Sequence, residues 1–311
     1  MLWLFLIPLL TGVVLLAAHF SYRLVFYNLN AKEQDVYVVP PGEQYEKIAD
    51  RMLAQIHELN QLPFEQIYIT SRDGIRLAAR YYHFRDNAPI QIQFHGYRGN
   101  GVREFSGGFK VAREFGLNAL VVDERAHGKS GGHTITFGIK ERYDCADWVE
   151  YACKRFGSDT PIILSGVSMG AATVLMASEL ELPDNVVGIT ADCPYSSPGA
   201  IIRKVCRGMK LPAWLVYPFV VLGAFAFGGF RLWESSAVKA VGNTNIPILL
   251  VHGDDDRFVP CDMSKEIYRA CTGPCELLTI PDAGHGLCYY TDAPRYAQAL
   301  RKFFNSCGLI P

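Results

Sequence analysis

Pro161-Ile162-Ile163-Leu164-Ser165-Gly166-Val167-Ser168-Met169-Gly170 joins two different kinds of segment. Pro161 to Leu164 is a short apolar run that reads as a buried strand. Met169 to Leu180 is rich in Ala, Leu and Met, with no breaker after Gly170, and reads as a helix. Between them, Gly166 and Gly170 allow a sharp turn and leave room beside Ser168, so its hydroxyl projects at the carboxyl end of the strand. The helix that follows points its free N–H groups at the same spot, where they favour developing negative charge.

Outward from this turn the pattern alternates. Glu65 to Thr70 and Ile75 to His83 read as strands of a hairpin joined by Ser71-Arg72-Asp73-Gly74. Ile90 to Phe94 is a strand, Gly107 to Phe115 is helix-like, and Asn118 to Val122 is a strand ending at Asp123. Phe137 to Phe156 reads as a helix from the spacing of Cys145, Val149, Ala152 and Phe156. Beyond the serine turn come a strand Val186 to Ala191, a strand Ile246 to Val251, a helix Met263 to Ala270, a strand Glu276 to Ile280 and a helix Asp292 to Asn305. Strands alternating with helices predict a mostly parallel sheet covered on both faces. Its functional groups belong at the carboxyl ends of the strands.

A serine hydroxyl is a weak nucleophile until a base takes its proton, and a histidine base needs a carboxylate to fix its tautomer. His285 lies in Pro281-Asp282-Ala283-Gly284-His285-Gly286, just past the last strand. Asp256 lies in His252-Gly253-Asp254-Asp255-Asp256-Arg257-Phe258-Val259-Pro260, just past the strand before it. Both fall at the same sheet edge as Ser168. Asp192, after another strand, is the alternative acid.

These residues together resemble an α/β-hydrolase of the broad esterase, lipase and acyl-peptidase type, over roughly Phe64 to Pro311. The resemblance implies an α/β-hydrolase fold with a mostly parallel central sheet of about eight strands, helices on both faces and a helical cap insertion. It assigns the acid of the His-Gly-x-x-Asp-x-x-Val-Pro loop to Asp256 and the last-loop histidine to His285, with Ser168 as nucleophile. Asp254 and Asp255 are then turn formers or solvated charges. The oxyanion donors become the backbone N–H of Met169 and, from His95-Gly96-Tyr97-Arg98-Gly99-Asn100, that of Tyr97. His95 and His252 read as structural. Asp123-Glu124-Arg125-Ala126-His127-Gly128-Lys129-Ser130 resembles a structural turn of the family, with Ala126 where glycine is usual.

The amino terminus departs from all this. No charged side chain occurs from Met1 to Tyr22, and Leu2 to Phe20 is almost wholly apolar. Nineteen residues of helix span ~28 Å, about the hydrocarbon thickness of a bilayer. No basic region precedes the run and its small-residue cleavage signal is poor, which favours an uncleaved single-pass anchor over a signal peptide. Arg23 and Lys32 on its carboxyl side place the domain in the cytoplasm by the positive-inside tendency. The expected division is an anchor over residues 1–22, a linker and leading helix over 23–63, and the hydrolase domain over 64–311.

Within that domain, 194–243 is too long for an ordinary connection. It holds Arg203, Lys204, Arg207 and Lys210, then an uncharged run from Leu211 to Phe230 broken by Pro212, Pro218, Gly223, Gly228 and Gly229. A membrane crossing there would separate Ser168 from His285, so the segment reads as a helical cap over the active-site mouth. Its basic cluster either meets anionic lipid headgroups or is a solvated lid face.

Composition excludes other classes. Half the residues are hydrophobic and a fifth charged, enough for a sizeable core, and a net charge of −1 gives no footing for nucleic acid. Nine scattered cysteines read as reduced thiols, with no matching set for a metal and no sign of a cofactor. The chain is therefore expected to cleave carboxylic esters of small-molecule, lipid-derived or other acyl substrates through an acyl-enzyme. Aminopeptidase, acylaminoacyl-peptidase and thioesterase activities are the alternatives, followed by a non-catalytic binding protein. Membrane contact is expected through the amino-terminal helix and the cap.

Overall fold

In the computed structural model, residues 2–29 and 35–309 are described; Lys32 and Pro311 lie outside them. The chain opens with α1 (Leu2–Val25), followed by α2 (Glu43–Glu46) and α3 (Ala49–Gln61). The single helix expected from Glu43 to Leu59 is thus broken at Lys47 and Ile48. A hairpin of β1 (Glu65–Thr70) and β2 (Arg76–Tyr82) leads into β3 (Ile90–Phe94), α4 (Gly101–Phe105), α5 (Phe109–Glu114) and β4 (Asn118–Asp123). Then come α6 (Glu141–Phe156), β5 (Ile162–Val167), α7 (Met169–Ala177) and β6 (Val186–Asp192). The long connection holds α8 (Pro198–Gly208), α9 (Ala213–Ala226) and α10 (Ala237–Val241). The chain closes with β7 (Ile248–Gly253), α11 (Asp262–Ala270), β8 (Cys275–Ile280), α12 (Cys288–Thr291) and α13 (Ala293–Ser306).

The eight strands form one sheet in the order β1-β2-β4-β3-β5-β6-β7-β8. β1–β2 and β2–β4 are antiparallel, and every other pair is parallel. This is the mostly parallel, roughly eight-stranded sheet that the sequence led us to expect. Alternate residues of the central strands go to opposite faces. Ile162, Leu164, Ile248 and Leu250 pack with Trp148 and Val174 on one side, while Ile163, Leu249 and Val251 pack with Phe303 and Phe304 on the other. With both faces covered, β3 and β7 are buried along their whole length.

One boundary moved for a clear reason. The helix expected from Phe137 starts only at Glu141, because Phe137 and Gly138 have φ of 55° and 89°. The Glu141 carboxylate accepts the N–H groups of Thr136 and Gly138 and fixes that turn before the helix begins.

α1 is not an isolated spike. Val14, Ala18 and Tyr22 recur every fourth residue on its covered side, which packs along α9. Its other side leaves Ile7, Leu9, Leu10, Leu16 and Phe20 more than 60% exposed. From Leu6 to Val25 it is long and apolar enough to cross a membrane.

Candidate active site

The turn after β5 is built by exclusion. A Cβ on Gly166 would lie 2.3 Å from the Gly170 carbonyl carbon, and one on Gly170 would lie 2.1 Å from Phe94 O. With both Cβ atoms absent, α7 starts hard against β3 and β5. Ser168 between them takes φ 53° and ψ −109°, a conformation that costs a non-glycine residue on the order of 1–3 kcal/mol. Its N–H donates to Asp192 O at 2.8 Å, tying the turn to the end of β6.

Ser168, Asp256 and His285 come together at the carboxyl edge of the sheet. His285 Nδ1 lies 2.7 Å from Asp256 Oδ2, and His285 Nε2 lies 2.9 Å from Ser168 Oγ. With Nδ1–H donating to the carboxylate, Nε2 is free to accept the serine proton. The second oxygen of Asp256 accepts the N–H groups of Phe258 and Val259 at 2.9 and 2.8 Å. Burial opposes the charge on Asp256, but hydrogen bonds from His252 and His285 outweigh it and hold the carboxyl well below the usual range.

Asp192 is differently placed. Burial pushes its carboxyl up to about 6, and one of its oxygens has no hydrogen-bond partner. Asp254 accepts the Asp282 N–H, and Asp255 takes Gln44 and Arg257. His252 is fully buried: its Nε2 lies 2.9 Å from Val259 O and 3.2 Å from Asp256 Oδ2, while Nδ1 faces the Ser264 hydroxyl at 2.6 Å.

The turn after β3 is clamped from behind by two histidines in edge-to-face contact, His95 and His127, with ring centroids 4.7 Å apart. His95 Nδ1–H donates to Gly96 O and its Nε2 accepts from Glu124 N–H. His127 Nδ1–H donates to Arg125 O and its Nε2 accepts from Arg98 N–H. Burial pushes His95 down to about 4 and His127 well below its ordinary range, so both rings stay neutral. Ala126, at the family's glycine position, adopts φ 63°, the left-handed region glycine fills without strain. Among the described residues, neither Tyr97 N–H nor Met169 N–H has a protein acceptor. Both are left available to an oxygen bound beside Ser168.

Three contributions escaped the sequence reading. Glu104 on α4 is partly buried near Ser168, and its Oε2 accepts the Gly96 N–H at 2.5 Å; desolvation raises its carboxyl. Nothing in the spacing of a lone glutamate marks it. The Tyr97 hydroxyl donates to Val25 O at 2.7 Å, and Arg98 Nη2 donates to Leu24 O and Tyr27 O. The turn is therefore fastened to the carboxyl end of α1.

The third is the cavity wall. A cleft of about 370 Å³ opens on Ser168 and His285, and its apolar lining includes Val38, Pro40, Pro41, Met52, Val167 and Phe258. No residue between 194 and 243 lines it. α8 places Lys204 at its rim, with Nζ 5.4 Å from the Phe258 ring centroid. Val38, Pro40 and Pro41, from the segment between α1 and α2, form part of that wall. α9 packs its buried side along α1.

Cys193, Asp256 and His285 offer three ligand atoms within 4.8 Å of one another. Two of them are already bonded to each other, and burial keeps the Cys193 thiol protonated, so a metal would have to break the existing arrangement.

The esterase Pf2001 of Pyrococcus furiosus superposes with a TM-score of 0.63 at 23% identity, over 80% of this chain and 94% of that one. Residues 207–305 match a family model described as Phospholipase/Carboxylesterase. The chain has the α/β-hydrolase fold. The chain is 26% identical over 194 residues to the uncharacterized protein YqkD of Bacillus subtilis (strain 168), covering 62% of this chain and 64% of that protein. It is 25% identical over 247 residues to the lysophosphatidylserine lipase ABHD12 of Xenopus tropicalis, covering 70% of this chain and 58% of that protein. It therefore spans less than two thirds of either relative.

Proposed function

We propose that this α/β-hydrolase is a membrane-held serine hydrolase that cleaves carboxylic esters with apolar acyl groups. The observation that carries the proposal is the unbroken hydrogen-bonded chain from Ser168 Oγ through His285 to Asp256, at 2.9 and 2.7 Å. In this reading Ser168 Oγ attacks the ester carbonyl carbon while its proton passes to His285 Nε2. The oxyanion forms where the Tyr97 and Met169 N–H groups point. Collapse breaks the carbon–alkoxide bond, and the proton on Nε2 goes to the leaving oxygen. Water then attacks the acyl-serine through the same histidine, returning Ser168 and releasing the acid. Asp256, kept ionised, stabilises the imidazolium in both halves.

The apolar lining of the cleft supports an acyl chain as the group bound beside Ser168. The lipase name of the ABHD12 relative agrees with an acyl ester as substrate. Residues 1–22 act in this proposal as the anchor, and the domain over 64–311 carries the chemistry on the cytoplasmic side.

The test is labelling of the full chain in vesicles with a fluorophosphonate, beside turnover of acyl esters of rising chain length and an aminoacyl amide. Ser168→Ala is expected to abolish labelling and to lower kcat by on the order of 10⁶-fold. Persistent labelling of the variant would remove Ser168 from its role. Turnover of the amide alone would replace the ester reading by a peptidase one.

A further inference from the structure

α9 has the sequence of a buried helix without the burial. Ala213–Ala226 carries no charged residue, and only Trp214 and Tyr217 have a polar side-chain atom. A helix apolar on every side belongs in a core or in a membrane. Here only Val220, Gly223 and Ala224 are buried, while Trp214 is 80% exposed, Phe225 55% and Leu215 47%. Met209 and Trp233 on its flanks are exposed as well. A contiguous apolar surface of this kind marks a contact with lipid or protein.

Two features on the molecule say which. The first is continuity with α1. Gly223 meets α1 so closely that a Cβ there would lie 2.5 Å from Ala18 O, and Phe227 packs its ring 4.8 Å from that of His19. The exposed faces of the two helices thus adjoin. Ala18 and His19 lie six to seven residues from the carboxyl end of α1, ~10 Å along its axis. That distance matches the ~5–10 Å to which an interfacial helix sinks into a leaflet. Fourteen residues make only ~21 Å of helix, too short to span ~30 Å of hydrocarbon.

The second is charge. From Cys193 to Trp233 there is no acidic residue, whereas Arg203, Lys204, Arg207, Lys210 and Arg231 are present. Arg207 and Lys210 are exposed and run directly into exposed Leu211 and Trp214. Cations beside an apolar face with an interfacial tryptophan suit an anionic lipid surface, where each such charge contributes about 1 kcal/mol.

We propose that α9 is a second membrane-seated element. It lies in the headgroup–acyl boundary of the leaflet from which the carboxyl end of α1 emerges, with Arg207 and Lys210 among anionic phospholipid headgroups. This rests on the reading of α1 as a membrane helix and is independent of the hydrolytic reading. It also sets the cleft at the bilayer surface, because Tyr97 and Arg98 are bonded to the last carbonyls of α1.

The experiment uses the full chain bearing Trp3→Phe and Trp233→Phe, reconstituted in phosphatidylcholine vesicles with and without phosphatidylglycerol, whose acyl chains carry bromine as a short-range quencher. Tryptophan fluorescence is expected to be quenched, and Trp214→Phe added to that background is expected to remove most of the quenchable signal. Quenching is expected to be stronger with phosphatidylglycerol, and Arg207→Gln with Lys210→Gln is expected to cancel that increment. Equal quenching with and without Trp214, in a chain that floats with the vesicles, overturns the seating of α9 while leaving the α1 anchor intact. Failure to float overturns the anchor and this proposal together. Trp214 shielded only by a second copy of the chain, seen as a cross-linked dimer without bromine quenching, overturns the lipid assignment. Fluorophosphonate labelling of each variant checks that it is folded, and an unlabelled wild type that is still quenched counts against the hydrolase reading alone.

Discussion

Replacing Asp256 by asparagine changes one atom and reverses the proton logic of the site. The side chain is held on both sides: one oxygen accepts two backbone N–H groups, from Phe258 and Val259, and the other faces His285 Nδ1 and His252 Nε2. In Asp256→Asn the amide oxygen keeps the two backbone donors, so the NH₂ falls where Oδ2 was. His252 cannot adapt easily, since its Nε2–H is already committed to Val259 O. His285 can adapt, by turning Nδ1 into an acceptor, but its proton then sits on Nε2 facing Ser168 Oγ at 2.9 Å. A protonated Nε2 cannot take the serine proton. The expected loss in kcat is on the order of 10⁴-fold, equivalent to ~5.5 kcal/mol of transition-state stabilisation, with KM little changed. Asp192→Asn, away from the histidine, is expected to stay within about tenfold of wild type. The assay is the initial rate of hydrolysis of a chromogenic acyl ester at neutral pH, with thermal unfolding as a control for folding. If Asp256→Asn keeps more than about a tenth of wild-type turnover while Asp192→Asn collapses, the tautomer argument is refuted and the acid is Asp192.

Tyr97→Phe removes the bond to Val25 O without touching the Tyr97 N–H. The loss of one oxyanion donor costs about 10²–10³ in kcat, and loosening it is expected to cost about tenfold, with KM and the melting temperature nearly unchanged; an unchanged kcat would detach α1 from the geometry of this turn. A pH titration of stability checks the β1–β2 turn. Burial works against the Asp73 charge, but hydrogen bonds from Arg125 and Ser71 and the Arg125 charge outweigh it and hold the carboxyl at about 2. A carboxyl lowered in the folded state adds stability above its unfolded pKa and loses it as pH falls through the folded one. Urea unfolding is therefore expected to show wild-type stability falling from about pH 4 to about pH 2, and Asp73→Asn is expected to flatten that slope.

What was legible along the chain is what depends on near neighbours. β5 and β7 announce themselves through the apolar runs Ile162 to Leu164 and Ile248 to Val251, as strands covered on both faces favour. The turn at Ser168 is legible because a strand can meet a helix that tightly only where Gly166 and Gly170 lack a Cβ. Boundaries slipped where a side chain overrode periodicity, as when Glu141 bonded back to Thr136 and Gly138 and delayed α6.

The sequence by itself determined the alternation of strands and helices, the serine turn, the Asp256 and His285 loops at later strand ends, and an amino-terminal helix apolar enough to cross a bilayer. These follow from spacing, from the absence of Cβ atoms and from hydropathy, all local properties. Only the tertiary structure decided that Ser168 and His285, 117 residues apart, stand at 2.9 Å. It also decided that Glu104 pins the turn after β3, that residues 38–41 rather than 194–243 wall the cleft, and that α9 lies against α1. Those outcomes depend on which surfaces compete to cover one another. That competition is settled by burial across the whole chain, and no window of sequence contains it.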